Sequence, residues 1–155
     1  MRGKLALEMT ATDLASDIAP DRVLFLCQHN SARSQMAEAM LRAWGEGRFE
    51  AHSAGMEATA VRPEAIAVMD ELAIDIRDQT SKTVERFIGQ SWAALIPVCE
   101  EACEACPWIP GAKRVERWMF DDPSAANGDQ AARMAEFRRI RDEIAVAVRD
   151  FIARG

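Results

Sequence analysis

Short unbroken apolar runs alternate with helical stripes along this chain, and that alternation predicts its architecture. The run Val23-Leu-Phe-Leu-Cys27 reads as a buried strand. Behind it Met36, Met40, Leu41 and Trp44 recur at helical spacing, predicting a helix over 34–44 that Gly45 and Gly47 end. A second strand is expected near 49–53, turning at Ala54-Gly55. Pro63 suits the first turn of the next helix, 64–72, whose Ile66, Met69 and Leu72 share one face. After a connection over 74–82, a third helix is expected near 83–88, a third strand over 93–99 and a shorter fourth over 115–119. The last helix starts near 127–129 and runs to about 152, marked by Met134, Phe137, Ile140, Ile144, Val148 and Phe151. The order β-α-β-α-α-β-β-α predicts an α/β fold: a four-stranded parallel sheet in a three-layer α/β/α arrangement. Residues 22–155 form one domain in this reading. Residues 1–21 are an N-terminal extension, with a short helix over 10–19 stopped by Pro20.

Ligands of parallel sheets bind beyond the carboxyl ends of the strands, and both Cys27 and Cys99 sit at such ends. The segment Gln28-His29-Asn30-Ser31-Ala32-Arg33-Ser34 joins the first strand to the first helix. A loop of that kind turns several backbone N–H groups inward at the positive end of the helix dipole, which makes an oxyanion site. Arg33 can close the site with a planar, bidentate fork, and the same field lowers the pKa of the Cys27 thiol. Ser34 is placed to hydrogen-bond the thiolate, and Asn30 to hold the loop in a strained turn. The blander reading is a helix start over a buried thiol, capped by Ser31. It leaves the charge of Arg33 without a purpose.

Composition narrows the function classes. The chain has 155 residues, 49% hydrophobic and 28% charged, which suits a globular domain with a proper core. Its formal net charge of −6 leaves no basic excess for nucleic acid or a lipid surface. No apolar run approaches a membrane span, and Arg2 and Lys4 precede no apolar stretch, so no signal peptide is expected.

Two further groups of residues carry chemistry. Asp121-Asp122-Pro123 is either a plain turn or a loop that presents a general acid to a departing oxygen. The four cysteines are Cys27, Cys99, Cys103 and Cys106, three of them crowded into eight residues. Structural disulfides suit a smaller secreted chain better. The Cys-x3-Cys-x2-Cys spacing admits an iron–sulfur cluster, although that motif belongs early in a larger barrel. It admits zinc with Cys27 as fourth ligand, which would fill the anion loop with metal. It also admits a thiol relay, in which one cysteine attacks Cys27 and another resolves the disulfide.

These residues resemble the low-molecular-weight protein tyrosine phosphatase superfamily, and within it the thioredoxin-coupled arsenate reductases, over about residues 22–152. The segment Val23 to Cys27, then Asn30-Ser31 and Arg33-Ser34-Gln35-Met36-Ala37-Glu38, matches the reductase form of the anion loop. Ser53-Ala54-Gly55, Phe120-Asp121-Asp122-Pro123 and Phe137-Arg138-Arg139-Ile140-Arg141-Asp142-Glu143-Ile144 match further along. Phosphatases of this fold carry tyrosines after their Asp-Pro, whereas this chain has Ser124-Ala125-Ala126 and no tyrosine at all. The reductases carry two further cysteines separated by six residues, with proline after the second, and Cys99 and Cys106-Pro107 fit that pattern.

The resemblance implies an arsenate reductase that makes arsenite in arsenic detoxification. It assigns catalysis to Cys27, Arg33, Asp122, Cys99 and Cys106. The oxyanion site, for arsenate or for phosphate or sulfate, falls on Gln28, His29, Asn30, Ser31, Ala32, Arg33 and Ser34. No bound cofactor or metal is expected, and reducing equivalents come from thioredoxin or another thiol donor. The protein is expected to be a cytoplasmic monomer that binds neither nucleic acid nor membrane. The alternative is a phosphatase that hydrolyses phosphomonoesters through a Cys27 phosphoenzyme; a third reading, of another class, is a metal or oxyanion sensor. Cys103 is extra and reads as a bystander thiol. The segment 99–110 is expected to be the most mobile, since the relay requires its cysteines to travel. Some relatives hold an alkali cation at positions matching Asn30, Glu38, Ser53 and a fourth, acidic one. Lys82 takes that fourth place here, so no cation requirement is expected.

Overall fold

The computed structural model describes residues 19–100, 102 and 110–155. The helix expected over 10–19, Cys103, Cys106 and most of the segment 99–110 lie outside the described residues. Three parallel strands, β1 (Asp21–Cys27), β2 (Phe49–Gly55) and β3 (Ala94–Pro97), form a sheet in the order β2-β1-β3. The central strand pairs along its whole length with β2, from Asp21 with Phe49 to Cys27 with Gly55. On its other edge Val23 pairs with Ala94 and Leu26 with Pro97. Both faces of β1 are covered, and so Val23 to Cys27 is an unbroken apolar run with no alternation.

The sheet has three strands where four were expected. Residues 114–120 do run beside β3: Leu95 N–H donates to the Arg114 carbonyl, Glu116 N–H to Leu95 and Trp118 N–H to Pro97. Regular pairing does not extend past the isolated bridges Trp92–Ala112 and Leu95–Val115. The next ladder bond on that edge would come from the N–H of residue 97. Proline has none, and the edge stays irregular.

The strands are followed by helices α1 (Arg33–Trp44), α2 (Pro63–Asp70) and α3 (Gln130–Arg154). Asp129 starts α3 by accepting the Ala132 N–H at 2.8 Å. The helix expected over 83–88 is only a 3-10 turn, Val84–Phe87. Thr83 is held extended by its bridge to Gly55, and Gly89 turns the chain at φ 88°, leaving too few residues for a helical nucleus.

Helix α1 lies against β1, β2 and α3. The stripe Phe137, Ile140, Ile144, Val148 and Phe151 of α3 is wholly buried. Phe151 stacks at 5.4 Å on Phe49 and 5.9 Å on Trp118, and Trp118 meets Phe25 at 5.6 Å. Each such side chain contributes about 1.5–3 kcal/mol by burial, which fixes the sheet ends that carry the loops. Among the described residues no helix is long and apolar enough to cross a membrane.

Candidate active site

Cys27 ends β1, and after five intervening residues Arg33 opens α1. The cap position of α1 is Ala32, which offers no side-chain hydrogen bond, so Ser31 does not cap the helix. The backbone N–H groups of residues 29–32 have no backbone acceptor among the described residues. A helix N-terminus left open in this way is the electrostatic setting for an anion.

The loop keeps its shape through buried polar contacts. Asn30 adopts a left-handed backbone, φ 49°, and is fully buried. Its side-chain amide donates to Ser34 Oγ at 2.8 Å and Ser53 Oγ at 2.9 Å. Its Oδ1 accepts from Gln35 Nε2 at 2.9 Å and from the Lys82 N–H at 2.8 Å. One side chain thus ties the loop to α1, to β2 and to the segment before the 3-10 turn. Gly55 lies so close behind that a Cβ there would stand 2.7 Å from Asn30 N and 2.9 Å from the Gln28 carbonyl. Only glycine fits against the loop at that point. In front, the Gln28 carbonyl accepts from the Glu57 N–H, and the His29 carbonyl accepts from the hydroxyls of Thr59 and Ser81.

Two thiols meet at the base of the loop. Cys27 and Cys99 are each 2% exposed. A hydrogen bond from the Cys99 thiol holds the Cys27 pKa well below the ordinary thiol value, against the cost of burial. The Ser34 hydroxyl and N–H and the charge of Arg33 act in the same direction. The same hydrogen bond, together with burial, pushes Cys99 far up. Cys27 is therefore the thiolate of the pair and Cys99 its protonated donor.

Arg33 is 8% exposed, and its Nη1 donates to the Phe120 carbonyl at 3.1 Å. Its Nη2 stands 3.9 Å from Asp122 Oδ2. Asp122 accepts the Ser124 N–H at 2.9 Å through Oδ1 and starts the 3-10 turn Pro123–Ala125. The turn reading of Asp121-Asp122-Pro123 and its place at the anion loop both hold. Cys27, Arg33 and Asp122 line one open pocket of about 230 Å³, together with His29, Ser31 and Ala32. The Gln28, Asn30 and Ser34 side chains are not in its lining; Asn30 and Ser34 support it from behind. Thr59 and Arg62 also line the pocket, and no sequence motif marked them. The one local signal was an arginine where a helix start prefers a hydrogen-bond acceptor.

Glu38 is 3% exposed and accepts from Ser53 Oγ at 3.1 Å. Lys82 Nζ stands 3.9 Å from Glu38 Oε1 and donates to the Thr80 carbonyl at 2.6 Å. Burial pulls the Lys82 pKa down, and the Glu38 charge opposes that shift.

Residues 22–154 match the family model of the low molecular weight phosphotyrosine protein phosphatase. An arsenate reductase of Halalkalibacterium halodurans is 39% identical over 133 residues, covering 86% of this chain and 96% of that protein. The arsenate reductase of Bacillus subtilis strain 168 is 37% identical over the same shares. Among solved structures, an arsenate reductase in the phosphate binding state superposes with a TM-score of 0.76 at 33% identity, over 86% of this chain and 98% of the other. An arginine phosphatase from Geobacillus stearothermophilus, at 20% identity and a TM-score of 0.72 over 87% and 92% of the chains, shares the fold.

Proposed function

The chain belongs to the low molecular weight phosphotyrosine protein phosphatase family, and we propose that within it this protein is an arsenate reductase that makes arsenite. The reading is supported by the second buried thiol, Cys99, which follows the strand paired with the one that ends in Cys27 and whose interaction with it lowers the Cys27 pKa. Ester hydrolysis by a thiolate needs one cysteine. Reduction needs a second to take the two electrons' worth of oxidation.

In this mechanism arsenate enters the loop and is held by the free N–H groups and Arg33. The Cys27 thiolate attacks arsenic while Asp122 gives a proton to the departing oxygen, which leaves as water. Cys99 then attacks the Cys27 sulfur, and the sulfur–arsenic bonding pair stays on arsenic. Arsenic(V) becomes arsenic(III), arsenite leaves, and a Cys27–Cys99 disulfide forms. Cys106 attacks Cys99, freeing Cys27 and leaving a Cys99–Cys106 disulfide for thioredoxin or another thiol donor.

The electrostatics support the order of these steps. Cys99 is held protonated first by its hydrogen bond to Cys27, then by burial, and also by the Cys27 charge. Forming the arsenic adduct removes that thiolate. Cys99 becomes easier to ionise when its own attack falls due, helped by Arg33 and the Ala102 N–H. Until then it acts as the donor that keeps Cys27 ionised.

The reading extends to a cytoplasmic monomer without a prosthetic group, in which residues 22–155 form one three-layer α/β/α domain and 1–21 an extension. Lys82 takes the place of a bound alkali cation, and Cys103 is a bystander. Residual phosphomonoester hydrolysis fits the shared first step. The test is arsenite production from arsenate by the purified protein with thioredoxin, thioredoxin reductase and NADPH. Strong hydrolysis of para-nitrophenyl phosphate with no arsenite formed would overturn the reductase assignment in favour of the phosphatase.

A further inference from the structure

The pocket holds a second arginine that the mechanism above leaves unused. Arg62 lines the same cavity as Cys27, Arg33 and Asp122, but it comes from the start of α2. Its position is the helix cap, where Ser, Thr, Asp or Asn would accept a backbone N–H; arginine has no acceptor, and α2 has no side-chain cap. A local rule broken at a pocket wall marks a residue kept for another purpose.

The residue is held at its backbone and at one guanidinium nitrogen, and the guanidinium still has donors to spare. Arg62 N–H donates to the Ser31 carbonyl at 2.9 Å, which fixes its backbone to the anion loop. Nη2 donates to Glu64 Oε2 at 2.9 Å, and Glu64 is only 8% exposed. Nε is buried without a partner, and Nη1 has no hydrogen-bond acceptor among the described residues. The side chain is 36% exposed while Cys27 is 2% exposed, so Arg62 stands at the rim and the thiol at the base.

We propose that Arg62 is a specificity-determining residue, recognising charge on the outward-facing oxygen of a free tetrahedral oxyanion and so selecting arsenate and phosphate over their monoesters. Attack by Cys27 requires the departing oxygen to point away from the thiol, toward the rim. In a free oxyanion that oxygen carries charge or a hydroxyl and pairs with a guanidinium. In a monoester it is bonded to carbon and offers little to Arg62. The proposal deepens the oxyanion reading given above and rests on it.

Calorimetric titration of inorganic phosphate and of phenyl phosphate into the reduced protein tests it without turnover. Arg62→Gln is expected to weaken phosphate about tenfold, the order of one charge-assisted hydrogen bond, and phenyl phosphate by less than about twofold. Arg62→Lys recovers most of the loss. Glu64→Gln keeps the guanidinium but removes the carboxylate that shares its charge, and it binds phosphate at least as tightly as wild type. Thiolate absorbance of Cys27 stays unchanged in all three. Equal weakening of both ligands, no weakening of either, or weaker phosphate binding by Glu64→Gln overturns the proposal. Wild type that binds phosphate selectively yet makes no arsenite would instead overturn the reductase reading, leaving the role of Arg62 intact.

Discussion

Behind the anion loop, Asn30, Ser34, Gln35 and Ser53 are fully buried and hydrogen-bonded to one another or to the segment 79–82; in front of it, Asp122 is 40% exposed. The rear wall fixes every polar atom it buries, and the Asn30 side chain alone makes four contacts. The front holds Asp122 by one backbone N–H and a 3.9 Å approach to Arg33. The difference teaches how the labour is divided. A nucleophile and its N–H cradle gain from being set in place before substrate arrives, since nothing then reorganises during attack. A proton donor must exchange with solvent and follow a departing atom, and so it stands on an exposed turn.

Substitutions can disturb the front and the rear separately. The largest effect is expected at the front: Asp122→Asn keeps the turn-forming oxygen but removes the proton, and arsenate turnover falls by about 10²–10³-fold with Tm nearly unchanged. A loss of less than about threefold would remove Asp122 from the acid role. At the rear, Asn30→Ala strands the hydroxyls of Ser34 and Ser53 and the Lys82 N–H and puts alanine in a left-handed backbone. We expect a loss of about 3 kcal/mol, seen as a fall of roughly 10 °C in Tm, with turnover reduced as well. An unchanged Tm would mean the rear wall is not the rigid half.

A smaller effect comes from the thiol pair. Ultraviolet titration of the thiolate, in a background lacking Cys103 and Cys106, places the Cys27 midpoint well below the ordinary 9.0. Cys99→Ala raises that midpoint, because the largest influence lowering it is gone. Cys27 is an acid depressed on folding, so its contribution is full above pH 9.0 and is lost as pH falls through the folded value. Cys99 is raised, so its contribution is full below that pH and is lost as pH rises beyond it. The smallest effect expected is none: with Lys82 Nζ 3.9 Å from Glu38, potassium raises neither turnover nor Tm more than sodium does at equal ionic strength. A rise specific to potassium would show that the ammonium does not fill the cation's place.

The strand–loop–helix that carries Cys27 and Arg33 was legible because all of it is local: an apolar run, a short loop and a helical stripe. The nearness of Cys99 was legible from topology, since β1 and β3 are parallel neighbours and Leu26 pairs with Pro97 just before each cysteine. What escaped was non-local. Nothing in the run Ala93–Cys99 reveals that Pro97 falls on the edge where a fourth strand would need its N–H. The contacts of Gln35 with Gln79 and Thr80 join residues more than forty apart, and no periodicity announces them. Arg62 belongs to no motif, and only folding brings the residue that caps α2 to the pocket. The segment 83–88 had a helical composition, but its ends were already committed, to Gly55 on one side and to Gly89 on the other.

On this mechanism the buried partner of Cys27 makes the site a reductase. The most direct test is the rate of arsenite formation by wild type and by Cys99→Ser, with thioredoxin, thioredoxin reductase and NADPH. Cys99→Ser is predicted to bind arsenate and phosphate as wild type does yet to form no arsenite in repeated turnover. Arsenite production by Cys99→Ser at the wild-type rate would show that Cys99 is not the reductant of Cys27.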